Sequence, residues 1–189
     1  MAINREASGV SIEAIVEYLR ASELCLNFRK GDGGCLGYPA TLLLFCVVDA
    51  LGRYLALNKK NKIPKGEPFF VLKHACFGMS ITQAQIKKLE LWYRNGLTHN
   101  AALTPGVCLS GEAGDPFDFA ANGDPIKIRV FAFHDLVKRV WAGFDKKQVN
   151  PSAVLTKLRM PTLGFDSSES LASPIASSGC PLPPGIPNR

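Results

Sequence analysis

Arg94, Asn95 and His99 are the residues whose types and spacing could do chemistry. They sit in the run Leu91-Trp92-Tyr93-Arg94-Asn95-Gly96-Leu97-Thr98-His99-Asn100. Arginine is always charged, and its planar fork suits phosphate. Histidine has an unperturbed pKa near neutrality, so it can take and return a proton. A phosphate clamp beside a proton shuttle is the minimum needed to break a phosphodiester without a metal. Asn95 adds an amide that could orient the phosphate or the histidine. The spacing imposes a condition. On a straight α-helix, residues five apart point about 140° from one another. Arg94 and His99 could then not share one phosphate. Either the helix bends at Gly96, or a second copy of the chain completes the site.

The elements that must position this run can be read from hydrophobic spacing. Ser11 can cap a first helix, with Val10 packing on Ile15 as a staple. Ile12, Ile15, Val16, Leu19 and Leu26 recur at helical intervals, and the Gly-rich run Lys30 to Gly34 reads as a loop. Pro39 suits the first turn of a second helix. Leu42 to Val48 is apolar all round, so that helix lies inside. Ala40 to Leu57 could pass for a membrane span, but Asp49 and Arg53 at its centre are costly in lipid. Four apart, they can pair on one helix face.

The stretch Phe69 to Phe77 is ambiguous: Phe70, Leu72, Ala75 and Cys76 have helical spacing, but it is short and follows Pro68. Ser80 to Gln83 has the form of a capping box, leading a third helix with Ile81, Ile86 and Leu89 inward and one of Trp92 and Tyr93 facing away from the core. Phe117 to Phe119 and Ile126 to Val130 alternate around Asn122-Gly123, a hairpin signal. Lys127 and Arg129 would share its outer face. A fourth helix runs from about Phe133 to Gln148 on a stripe of Leu136, Val137, Val140, Trp141 and Phe144. The expected fold is all-α: a four-helix up-and-down bundle with a short β-hairpin inserted before the last helix, spanning residues 1–160. Ser, Pro and Gly dominate residues 161–189, which read as a disordered tail.

Charge and cysteine usage narrow the function classes. The net charge is +6 over 189 residues, and the tail, with Asp166, Glu169 and Arg189, contributes −1. The rest therefore carries +7, which suits a polyanionic partner. The densest basic run contains Lys59, Lys60 and Lys62, a candidate for tracking RNA phosphates. None of the six cysteines forms a C-x-x-C pair, and His74 and His134 are scattered among them, so no metal or other cofactor is expected. The N-terminus is polar and resembles no signal peptide, which points to a cytoplasmic protein with reduced thiols and no membrane.

The segment Arg94-Asn95-Gly96-Leu97-Thr98-His99 resembles the signature of the HEPN superfamily. That signature is an arginine, a polar residue, then a histidine after four to six intervening residues, late in a helical bundle. The resemblance implies a metal-independent endoribonuclease, a toxin or phage-defence component that acts on RNA as a homodimer, with an antitoxin or regulatory partner. It would give His99 the proton transfers, Arg94 the charge on the phosphorane oxygens and Asn95 an orienting role. Asp49 and Arg53 are similar to the acidic-x3-basic pair that some families of this group carry on a neighbouring helix, so they would brace the site. Some toxins of the group carry a modified tyrosine two residues after the histidine. Here that position is Ala101. The alternative is a non-catalytic module of the same kind that binds nucleic acid or a protein partner.

Overall fold

The computed structural model describes residues 2–57, 61–64, 66–99 and 106–149, without the side chains of residues 2–10, 94, 95 and 99. Lys59 and Lys60 and the tail 161–189 lie outside the described residues. Among the described residues the α-helices are α1 (Ala2–Asn27), α2 (Gly37–Ala56), α3 (Gln83–Trp92) and α4 (Val130–Gly143). A 3-10 helix covers Pro68–Lys73, and a π-helical turn, Tyr93–His99, continues α3. Strands β1 (Cys108–Ser110), β2 (Phe117–Phe119) and β3 (Pro125–Arg129) form a sheet of order β1-β3-β2.

This is not the expected all-α four-helix bundle. α3 is only ten residues long, and its main neighbours are the 3-10 helix, the π turn and β3. The 3-10 helix packs directly against α2, which α3 meets mainly through the π turn. Gly52 makes that approach possible. A Cβ built there would lie 2.6 Å from the carbonyl carbon of Pro68 and 2.8 Å from its Cα, so no larger residue fits without moving backbone.

The sheet is also more than a hairpin. β2 and β3 pair antiparallel, as their alternation implies, but β1 adds to the other side of β3 in parallel, with Leu109 opposite Ile128. A three-residue strand is too short to show a period, and its partner lies beyond an intervening strand. α4 begins directly after β3, at Val130, so a strand-like alternation runs unbroken into a helix. α1 begins at Ala2, which makes Ser11 an interior residue and not a cap. The capping box exists two residues later than expected. Thr82 accepts from the Gln85 N–H at 3.2 Å, and the Gln85 side chain accepts from the Thr82 N–H at 2.8 Å.

α2 is the centre of the core. By length and composition it is the one helix among the described residues able to cross a membrane, and half of it is buried within the protein. Leu44, Phe45, Val47, Val48 and Leu51 are fully buried on it. It meets α1, α4, the 3-10 helix and the π turn. Ile15, Leu19 and Leu26 of α1, and the whole expected stripe from Leu136 to Phe144, are buried against this core.

The sheet's charges are paired. Arg129 donates to both oxygens of Asp118 at 2.7 Å, and Lys127 to Glu112 at 2.8 Å. Lys88 reaches Asp124 at 2.7 Å and ties the hairpin to α3. Hydrogen bonding to Arg129, then its charge, holds the Asp118 carboxyl below the usual aspartate value. A carboxyl depressed on folding contributes stability above its unfolded value, and that contribution is lost as pH falls through its folded value. The thermal midpoint of the wild type is therefore expected to fall more steeply below about pH 4 than that of Asp118→Asn. Parallel acid limbs in a pH series of melting curves would show that the pair adds nothing.

Candidate functional site

The candidate site is built from the end of α3. The capping box fixes where the helix starts, and Ile86, Leu89 and Trp92 then follow the buried face. After Trp92 the helix widens into a π turn, in which the backbone bonds i to i+5. Two residues favour this locally. Gly96 is a poor helix former and is buried in the turn. The Thr98 hydroxyl donates to the Tyr93 carbonyl five residues earlier, at 2.8 Å. Widening also lets two consecutive aromatics meet the core. Trp92 and Tyr93 lie 5.9 Å and 5.3 Å from the Phe45 ring, so neither faces away.

The π turn answers the geometric condition set by the sequence. A π-helix holds about one residue more per turn than an α-helix, so position i+5 comes nearly over position i. The backbone positions of Arg94 and His99 therefore share one face of the turn. No bend and no second copy are needed to bring these two positions together. Asn95 follows in the same turn.

α2 braces the turn from the inside. The Tyr93 hydroxyl lies 3.2 Å from the Cys46 sulfur, and its ring also packs, tilted, against Phe69 at 5.4 Å. Burial, then hydrogen bonding to Cys46, pushes the Tyr93 hydroxyl well above its ordinary value. It stays protonated at neutral pH and serves as a tether, not a base.

Asp49 and Arg53 lie one and two turns beyond Cys46. Arg53 donates to Asp49 at 2.6 Å and 3.3 Å. The hydrogen bond to Asp49, then the Asp49 charge, raises the Arg53 pKa, and the charge of Glu90 adds to it. This places the pair beside the junction of α3 and the π turn. Its charges are spent on each other and partly exposed, so it suits a positioning role better than a phosphate clamp.

The remaining candidates sit apart. Lys62 is exposed, with φ of 53°, next to Asn61, whose amide caps the Leu55 carbonyl at 2.9 Å. Lys127 and Arg129 are held by carboxylates and present no free cationic face. His134 is buried in α4, and His74 lies on the turn after the 3-10 helix. A cleft of about 930 Å³ lies elsewhere, between residues 77–81, the β1–β2 connection and α4; none of residues 93–99 lines it. Among the described residues, no three His, Cys, Asp or Glu side chains gather as a metal site would require.

Sequence reasoning missed Thr98 and Cys46. A threonine five residues after the carbonyl it binds has no signature in a 3.6-residue pattern, and Cys46 looks like any core thiol. The chain matches no protein-family model, no curated protein and no solved structure.

Proposed function

We propose that this protein is a metal-independent endoribonuclease of the HEPN type, working in the cytoplasm as a homodimer. The observation that supports it is the π turn. It brings an arginine and a histidine position onto one face, where an α-helix would separate them. In this reading Arg94 grips the scissile phosphate and offsets charge growing on its non-bridging oxygens. His99 takes the proton of the 2′-hydroxyl as that oxygen attacks phosphorus. The P–O5′ bond breaks, and the departing 5′-oxygen takes a proton from the imidazolium of the second copy. Asn95 orients the phosphate, and the Asp49–Arg53 pair stiffens the wall behind it. The nucleophile belongs to the ribose, so DNA is not a substrate. The basic loop around Lys62 would track the substrate backbone.

The chemistry makes a specific demand. A labelled single-stranded RNA should be cut in the presence of EDTA, and the products should end in a 2′,3′-cyclic phosphate and a 5′-hydroxyl. A 5′-phosphate product, or activity that appears only with magnesium, would replace this mechanism with a metal-dependent one. RNA binding with no cutting would favour the non-catalytic module.

A further inference from the structure

A second pair of chemically capable side chains lies on the turn after the 3-10 helix. The Cys76 sulfur is 3.1 Å from His74 Nδ1. The same Nδ1 also accepts the Cys76 backbone N–H at 3.3 Å. A nitrogen that accepts an N–H carries no proton of its own, so this arrangement puts the ring proton on Nε2. Its lone pair is turned toward the thiol.

The backbone holds this arrangement in place. The His74 N–H donates to the Val71 carbonyl at 2.8 Å. The His74 carbonyl accepts from Phe77 at 2.9 Å and from Gly78 at 3.4 Å, closing the turn around the pair. Val71, Leu72 and Phe77 are buried and anchor both ends. Cys76 itself is exposed. The next residues, Phe77 to Ile81, form one wall of the 930 Å³ cleft.

We propose that Cys76 is a nucleophilic thiol with His74 as its base, a modification site at which the protein takes up a small disulfide. The step balances without another reactant. The Cys76 S–H proton moves to His74 Nδ1 as sulfur attacks one sulfur of the disulfide. A new S–S bond forms, the old one breaks, and the departing thiolate takes the proton from the imidazolium. Partial burial pushes the Cys76 thiol up, so it rests protonated at neutral pH and needs a base in the step itself. A sulfur of higher pKa is also the stronger nucleophile once its proton is removed. This site is independent of the π turn.

Cys108 provides an internal control, because it is the other exposed cysteine among the described residues. The experiment treats the full chain with oxidised glutathione, quenches with acid and follows each cysteine by peptide mass spectrometry. Cys76 should be modified on the order of tenfold faster than Cys108 near pH 7. His74→Gln should bring Cys76 down to the Cys108 rate and leave Cys108 unchanged. The wild-type Cys76 rate should begin to rise with pH well below the range in which the raised thiol itself ionises. Equal rates at the two cysteines would overturn the proposal, as would a His74→Gln variant whose Cys76 is unaffected. If that variant does not fold, the wild-type pH profile decides: a rate rising only in the thiol range rejects His74 as the base.

Discussion

Phe45→Ala is expected to lower the unfolding free energy by about 3–5 kcal/mol. For a folded part of this size, that is a fall of roughly 6–20 °C in the thermal midpoint. Phe45 is fully buried on α2. Its ring centre lies 4.9 Å from Phe133 in α4, 5.3 Å from Tyr93 in the π turn and 5.6 Å from Phe69 in the 3-10 helix. Trp92 in α3 and Phe117 in β2 follow at 5.9 Å and 6.1 Å. Five elements thus converge on one side chain.

A cavity here cannot close by the movement of one neighbour, because the neighbours belong to different parts of the backbone. The cost should therefore lie toward the upper end for a large-to-small change. Phe28→Ala is the comparison. Phe28 is 53% exposed, and its loss should stay within about 0.5 kcal/mol. Calorimetry of the two variants checks both values. A Phe45→Ala midpoint within two or three degrees of wild type would mean the aromatic cluster does not hold these elements together.

What the sequence made legible follows from period and length. α2 and α4 are long, and their apolar residues keep a 3.6 repeat or cover every face, so existence, burial and stripe could all be read. The Asp49–Arg53 pair could be read because four-residue spacing fixes a contact on any α-helix. The failures are places where a residue's partner is far along the chain or its period is not 3.6 or 2. β1 is three residues long and pairs with positions nineteen residues further along the chain. Gly52 reads as an ordinary helix glycine until Pro68 is placed against it. Thr82 and Ser80 are both good caps, and only packing of Ile81 and Ile86 selects between them.

The candidate site shows the same limit most clearly. The chemistry-bearing residues were legible by type, but their five-residue spacing argued against a shared face. The π turn reconciles that spacing with one site, and no hydrophobic pattern announces a π turn. It is produced by Gly96, by the Thr98 hydroxyl on the Tyr93 carbonyl, and by two adjacent aromatics both drawn to Phe45. Local propensity and tertiary packing act together there, so neither could be read alone.

His99→Ala is expected to reduce RNA cleavage by about 10²–10⁴-fold, the usual worth of a positioned general acid or base. Arg94→Ala should cost about 10²–10³-fold, comparable to removing one preorganised donor from a developing oxyanion. The π turn makes a sharper prediction about the pair. If both positions serve one phosphate, their effects cannot add, because a phosphate that Arg94 no longer holds is no longer presented to His99. The double variant should then be about as slow as the slower single variant, not slower by the product of the two. Arg94→Lys separates charge from geometry. Lysine keeps the positive charge but loses the fork, so it should recover only part of the arginine effect. Single-turnover cleavage rates, with melting curves to show that each variant remains folded, provide the whole comparison. Multiplicative losses would place Arg94 and His99 in separate sites. Single-variant losses below about threefold would leave the π turn as a structural device of the core, with catalysis, if any, elsewhere.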